Sequence, residues 1–229
     1  MKINVHAGHN PDGKVACGAV GIIQESTEAR KVKNEVISQL KQLGHTVYDC
    51  TCDNGTSQAN VLTKIVDACN AHTVDLDVSI HFNAGSSDKS GNGKTTGTEV
   101  YVYSTTSKAK TYAEKICAAI AALGFANRGV KISTSLYFLK KTNAPAMLIE
   151  CCFVDDKDDV QSYNYKSMAS AIVYGITGKH AEQTDTTSSS VHEKQTYRVQ
   201  VGAYSSKSNA ENMKTKLKKS GFDAVVVKV

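Results

Sequence analysis

The 229-residue chain contains no tryptophan, only two prolines and no long apolar segment. No apolar run approaches the roughly 20 residues that a membrane-spanning helix needs, so a membrane span is not expected. The amino terminus, MKINV, has one lysine and lacks the apolar core of a signal peptide; it is typical of a strand instead. We therefore expect synthesis in the cytoplasm without export by the common secretory route.

The cysteines do not form the pattern of a disulfide-stabilised protein. There are seven of them, an odd number, and they are scattered along the chain. The two closest pairs, Cys50 with Cys52 and Cys151 with Cys152, both lack the C-x₂-C spacing of a zinc knuckle. We expect reduced thiols in the core, with a thiolate metal site as the less favoured alternative.

The charge is distributed unevenly along the chain. The net charge is +5, and residues 196–229 alone hold seven Lys/Arg against two Asp/Glu. Residues 1–195 are balanced, with 20 of each sign. The basic tail contains no recognised nucleic-acid motif, so nucleic-acid binding is not expected. Such a tail favours solubility or a weak attraction to an anionic polymer.

Strands and helices alternate through the first three quarters of the sequence. Helical periodicity predicts helices over residues 25–43, 58–71, 107–123 and 158–176. Apolar or alternating segments predict strands over residues 2–6, 45–50, 76–82, 98–104, 136–139 and 146–150. The strand 76–82 is apolar enough to be central, whereas the alternation in 98–104 suits an edge. The pattern predicts an α/β fold with a twisted, mostly parallel sheet of about six strands flanked by helices.

Ionisable side chains occur where several of these elements begin or end. His9 follows the first strand, His81 and Glu150 close two others, and Glu25 opens the first helix. A parallel sheet brings such positions together at one edge, next to the long polar loop 83–97. Two imidazoles and one carboxylate with an open fourth position are typical of catalytic zinc, and another glutamate can serve as general base.

Each of these residues also has a simpler explanation. A histidine at a strand end is commonly a hydrogen-bonded structural residue, and Glu25 can complement a helix amino terminus. Glu150 is harder to explain in this way, because it stands in the apolar segment AMLIECCF, where an unpaired carboxylate is costly. The residue types alone do not decide which glutamate would bind a metal and which would catalyse.

Five motifs, taken together, resemble one enzyme family. These are NVHAGHNPDG, GAVGIIQESTEARKV, SIHFNAG, GTEVYVYS and PAMLIECCFVDD. In this order they resemble the zinc-dependent N-acetylmuramoyl-L-alanine amidases of type 3, over residues 1 to about 176, and most closely the clostridial and bacillary endolysins and autolysins. The resemblance implies one Zn²⁺ held by His9, Glu25 and His81, with Glu150 as the catalytic glutamate. The chain departs from the family in GHNPDG, where many members have Gly-His-Gly-Gly.

The resemblance also implies a reaction and a substrate. Water activated by zinc, with Glu150 as general base, would cleave the amide bond between N-acetylmuramic acid and L-alanine in peptidoglycan. A zinc peptidase acting within the stem peptide and a non-catalytic wall-binding protein remain the alternatives. Asn83 and Arg128 are weaker candidates for substrate contacts, and solvated loop residues are the simpler interpretation of both. His6 has no place in the motif, so we expect it to be packed beside the site.

The carboxyl-terminal residues resemble a different module. Residues 179–195 are rich in Ser and Thr and predict a linker between a catalytic domain, 1–178, and a tail, 196–229. The tail resembles the first half of a SPOR domain, a peptidoglycan-binding module of two βαβ halves. A small βαβ half-domain is expected, with Ala210, Met213 and Leu217 facing inward. The missing half would come from a partner chain or from further residues, and a phage holin or mother-cell lysis would release the protein to the wall.

Overall fold

The computed structural model describes residues 1–181, 206–219 and 226. It divides into two compact units, Met1–Thr184 and Asp185–Val229. In the first unit the strands are β1 (Lys2–Ala7), β2 (Thr46–Asp49), β3 (Leu76–Asn83), β4 (Thr98–Val102), β5 (Asn127–Ile132) and β6 (Ala146–Phe153). Its helices are α1 (Glu25–Gln42), α2 (Gln58–Asn70), α3 (Lys110–Ala121), α4 (Tyr137–Lys141), α5 (Lys157–Ser162) and α6 (Tyr165–Thr177). In the second unit, α7 (Lys207–Lys219) is described.

The six strands form one sheet in the order β2-β1-β3-β6-β4-β5. Strands β2, β1, β3 and β6 are mutually parallel, while β4 runs antiparallel to β6 and parallel to β5. The prediction of an α/β fold with a mostly parallel six-stranded sheet is confirmed. The central position expected for residues 76–82 is also confirmed, because β3 has two strands on one side and three on the other.

Helices cover both faces of the sheet. Side chains of α1, α3 and α6 share one hydrophobic core with Met147 and Ile149 of β6. Side chains of α2 and α4 share a second core with Ala146 and Leu148 of the same strand. Because successive residues of a strand point to opposite faces, β6 contributes to both cores and is buried on both sides. This burial explains the nearly continuous apolar run of β6.

The helix predictions for the first unit agree with the structure except at the end of the unit. Helices α1, α2 and α3 lie where the periodicity placed them, and the Ser57 side chain caps α2 by accepting a hydrogen bond from the Asn60 N–H. The helix predicted over 158–176 is instead two helices. They are separated at Tyr163 and Asn164, and the Asn164 side chain caps α6.

Two strand predictions are wrong, and one strand is not predicted from the sequence. Residues 136–139, predicted as a strand, belong to the short helix α4, because four residues are too few to distinguish the helical period from the strand period. No strand is predicted over residues 127–132, which form β5; its charged and half-exposed residues suit its edge position. The strand β4 is internal, between β6 and β5, and is not an edge strand.

Other predictions concern the thiols, membrane insertion and the tail. All seven cysteines are free, and six of them are buried, as expected for core thiols. Among the described helices, none combines the length and apolar character that a membrane crossing requires.

In the second unit α7 agrees with the predicted helix, and Ala210, Met213 and Leu217 are partly buried there. The two strands predicted on either side of it, and most of the linker 179–195, lie outside the described residues.

Candidate metal centre and active site

His9, Glu25 and His81 converge at the carboxyl edge of the parallel strands. His9 follows β1, Glu25 is the first residue of α1, and His81 lies near the end of β3. Glu25 Oε1 is 3.3 Å from His9 Nε2 and 2.9 Å from His81 Nδ1. One ligand atom from each side chain lies within 4.8 Å of the other two, so the group could hold a metal ion. The convergence expected from the sequence is therefore present.

Two glycines, Gly8 and Gly18, leave the space that the His9, Glu25 and His81 side chains occupy. A Cβ atom on Gly8 would lie 2.0 Å from His81 Cε1 and would clash with the imidazole ring. A Cβ atom on Gly18 would lie 2.5 Å from Glu25 Oε2 and 2.8 Å from His9 Cδ2, and Gly18 also has a φ of +82°. The backbone thus passes against the three side chains at positions where only glycine fits.

The Glu25 carboxylate is buried and anchored by several donors. Oε2 accepts a 2.7 Å hydrogen bond from the Ala19 N–H, and Oε1 accepts one of 3.2 Å from the Phe82 N–H. Burial opposes ionisation, but hydrogen bonds and charges from His81 and His9 outweigh it and hold the pKa of Glu25 well below its usual range. Glu25 is therefore an anion fixed in place between the two imidazoles.

Glu150 lies beside this group on the neighbouring strand. It is directly opposite His81 in the β3–β6 register, on the face of the sheet covered by α2 and α4. Strand β6 continues to Phe153, so Glu150 lies inside the strand and does not end it. Its Oε2 atom is buried and has no hydrogen-bond partner among the described residues. Burial, followed by the charges of Glu25 and Glu99, raises the pKa of Glu150 to about 8.

A second buried carboxylate, Glu99, was not identified from the sequence. It is opposite Glu150 in the β4–β6 register. Its Oε1 accepts hydrogen bonds from Asn83 Nδ2 at 2.9 Å and from the Tyr101 hydroxyl at 2.8 Å, and its Oε2 accepts one from Arg128 Nε at 2.8 Å. Thus Asn83 and Arg128, the two weaker candidates, meet at one residue. In the sequence, Glu99 looks like the solvent-facing polar residue of an alternating strand.

The long polar loop that follows β3 is held by aspartates that follow β6. Their carboxylates accept hydrogen bonds from backbone N–H groups along the loop. Asp155 binds residues 85–87, Asp158 binds residues 92 and 93, and the buried Asp159 binds Gly97. These bonds explain how a polar loop of this length keeps a defined path across the edge of the sheet.

His6 lies outside the three-residue metal group, as expected. Its ring is buried, packs edge-on against Phe138 with 4.6 Å between centroids, and has Nδ1 3.2 Å from the Ala7 carbonyl oxygen. Burial is the main cause that lowers the pKa of His6 to about 3. The ring is therefore a neutral packing residue on the same face as His81.

Comparison with known proteins identifies the family. Residues 3–178 match the profile described as N-acetylmuramoyl-L-alanine amidase. This chain belongs to the N-acetylmuramoyl-L-alanine amidase family. A second profile, described as SPOR domain, matches residues 162–228 of this family member. That match begins at the end of α5, well before the tail boundary expected at residue 196, and overlaps the amidase match.

Several relatives support the assignment. An uncharacterized protein of Clostridium perfringens is 36% identical over 190 residues, covering 80% of this chain and 53% of that protein. The N-acetylmuramoyl-L-alanine amidase CwlM of Bacillus licheniformis is 30% identical over 178 residues, covering 75% of this chain and 64% of that enzyme. The chain spans about half the length of the first curated relatives it matches.

Solved structures share the fold. The catalytic domain of the CD27L endolysin, described as targeting Clostridia difficile, superposes with a TM-score of 0.70 at 27% identity. The match covers 80% of this chain and 99% of that domain. Cwp6 from Clostridium difficile gives a TM-score of 0.65 at 28% identity, covering 77% of this chain and 29% of that protein.

Proposed function

We propose that residues 1–178 form a zinc-dependent amidase that hydrolyses the bond between N-acetylmuramic acid and L-alanine in peptidoglycan. The observation that carries this proposal is the pairing of His81 with Glu150 in the β3–β6 register. It puts a carboxylate with a buried Oε2 atom beside a His–Glu–His group without making that carboxylate part of the group. Membership of the amidase family supports the choice of bond.

The residues present suit zinc. Two imidazoles and one carboxylate leave one coordination position open, which is the arrangement of catalytic zinc sites. The lowered pKa of Glu25 keeps it in the anionic form that a ligand needs. The space cleared by Gly8 and Gly18 lets His9, Glu25 and His81 approach one another. When bound, zinc would supply a Lewis acid that acidifies water and polarises the amide carbonyl.

Glu150 is proposed to move the proton. Its buried Oε2 has no partner among the described residues, so it is available to accept a proton from the attacking water. It would then give this proton to the departing amine of L-alanine. A pKa raised towards neutrality suits a carboxyl that must both take and release a proton near pH 7.

The experiment is digestion of purified cell wall by the zinc-loaded chain, followed by identification of the new chain ends. Amino-terminal L-alanine together with a free lactyl carboxyl on muramic acid supports the amidase. A new terminus on a D-amino acid would instead identify a peptidase of the stem peptide. Glu150→Gln should abolish the cleavage and still bind zinc, whereas Glu114→Gln, an exposed change on α3, should keep full activity.

The tail is proposed to bind peptidoglycan as well. The SPOR match over residues 162–228 supports this, and the domain limits 1–178, 179–195 and 196–229 are part of the same proposal. Sedimentation of the full chain with insoluble peptidoglycan tests it, in comparison with a chain ending at residue 181. Equal retention of the two chains would contradict a binding role for the tail.

A further inference from the structure

Arg128 extends the polar row of the site onto the edge strand. His81, Glu150 and Glu99 are successive cross-strand neighbours on β3, β6 and β4, and Arg128 on β5 continues the row. Arg128 donates through Nε to Glu99 Oε2 at 2.8 Å, and its guanidinium carbon lies 5.0 Å from the centroid of the Phe153 ring on β6. The side chain therefore reaches back from β5, across β4, towards the strand that carries Glu150.

The Arg128 guanidinium is held in position but still has N–H donors available for a ligand. Glu99 is anchored by Asn83 and Tyr101 as well as by Arg128, and its side chain is only 4% exposed. The Arg128 side chain is 39% exposed, and within residues 1–181 only its Nε makes a hydrogen bond. Its outer nitrogens, Nη1 and Nη2, thus remain as donors beside the site. A cation over an aromatic face and fixed through Nε loses little freedom when it binds a ligand.

The ligand that suits such a group is a carboxylate, because a guanidinium offers paired N–H donors that match its two oxygens. In the intact substrate the lactyl carboxyl of muramic acid is part of the amide to be cleaved. The remaining carboxylates near that bond belong to the stem peptide. The positive charge of Arg128 therefore indicates that the stem-peptide side of the scissile bond lies over β4 and β5.

The distance between Glu150 and Arg128 indicates which residue of the stem peptide Arg128 can reach. Strands are about 4.8 Å apart, so the backbone at Arg128 is about 10 Å from that at Glu150, and the arginine side chain shortens this gap. Two extended residues span about 7 Å, which is the reach from the scissile carbonyl to the α-carboxylate of the second residue. In peptidoglycan this residue is a γ-linked D-glutamate.

We propose that Arg128, positioned by Glu99 and Phe153, binds the α-carboxylate of the γ-linked D-glutamate next to the scissile bond. This subsite rests on the proposed amidase function, since it assumes that the stem peptide crosses the row towards β5. It predicts that the protein distinguishes a free D-glutamate carboxylate from an amidated one.

The test is calorimetric binding of three peptides to the zinc-loaded full chain. The first is L-alanyl-γ-D-glutamyl-diaminopimelate, the second is amidated on the D-glutamate α-carboxyl, and the third is amidated on the diaminopimelate. Loss of one charge-assisted bidentate pair should weaken binding of the second peptide roughly tenfold to a hundredfold. In Arg128→Gln the first two peptides should bind within about twofold of each other, and Arg128→Lys should give an intermediate ratio.

Lys110→Gln is the matched control, because it also removes one exposed positive charge, on α3. It should keep the wild-type ratio. The proposal is overturned if Arg128→Gln keeps that ratio too, if only the third peptide is discriminated, or if the wild type binds none of the peptides at millimolar concentration. Wall digestion judges the amidase separately: cleavage of the expected bond with no carboxylate preference would refute only the subsite.

Discussion

Replacing Glu150 by glutamine should make the metal-free protein more stable while abolishing the proposed hydrolysis. Glutamine has nearly the shape of glutamate but cannot ionise. Glu150 is half-buried, its Oε2 atom is buried without a partner among the described residues, and it lies near the carboxylates of Glu25 and Glu99. Ionisation of Glu150 is therefore less favourable in the folded protein than in the unfolded chain.

The magnitude follows from the change in pKa. The pKa of the Glu150 carboxyl is about 4.5 in the unfolded chain and is raised to about 8 in the folded chain. Between these values the folded state holds the proton that the unfolded state has lost, so stability falls as pH rises, by about 1.4 kcal/mol per pH unit. At pH 7 this loss amounts to about 3 kcal/mol, and at pH 4.5 it is close to zero.

Urea unfolding of the two proteins with a chelator present, at pH 4.5 and pH 7, measures the difference. We expect Glu150→Gln to gain about 3 kcal/mol at pH 7, which corresponds to an increase in Tm of roughly 6–12 °C for a chain of this size. Zinc should reduce the gain, because a nearby cation favours the ionised carboxyl of the wild type.

Glu114→Gln on α3 is the control, since its side chain is 52% exposed and it should change stability by less than about 0.5 kcal/mol. If Glu150→Gln is no more stable than the wild type at pH 7, or gains the same amount at both pH values, burial of an ionisable Glu150 is the wrong explanation. If that variant still cleaves the wall, Glu150 is not the general base.

Three further predictions concern the metal group and the loop. Gly8→Ala puts a methyl group 2.0 Å from His81 Cε1, so zinc affinity should fall at least tenfold in competition with a chromophoric chelator; unchanged affinity would contradict the close packing. Dialysis against a chelator should abolish wall digestion and added Zn²⁺ should restore it, whereas activity that survives complete zinc removal would exclude a zinc-dependent reaction. Asp159→Ala leaves the buried N–H groups of Gly97 and Phe153 without their acceptor, so urea unfolding should show a loss of about 2–4 kcal/mol, and a loss below about 1 kcal/mol would contradict this role of Asp159.

Local signals accounted for the elements that have a clear period or an evident cap. The apolar spacing along α1 and the Ser57 cap of α2 both depend on residues a few positions apart, so the sequence contains them directly. The failures are elements whose identity depends on distant neighbours. Strand β5 is half-exposed and charged, and it is a strand because β4 pairs with it. Helix α4 is too short for a period, and Phe138 and Leu139 complete the core formed with α2.

The same distinction holds for the site. The sequence placed His9, Glu25, His81 and Glu150 at element ends near one edge of a parallel sheet, and resemblance to a family suggested their roles. It did not identify Glu99, because an isolated acidic residue in an alternating strand looks solvent-facing. Burial of Glu99 follows from its position between β6 and β5, which no local pattern encodes.

By itself, the sequence determined the α/β class, a set of four candidate site residues at one sheet edge and, among them, an acidic residue that an apolar strand could not easily accommodate. Tertiary structure alone decided which side chains are neighbours. Strand order and register put Glu150 opposite both His81 and Glu99, and they bring Arg128 to the same row. The physical reason is that periodicity and capping depend on contacts within a few residues, whereas cross-strand pairing joins residues that are tens of positions apart.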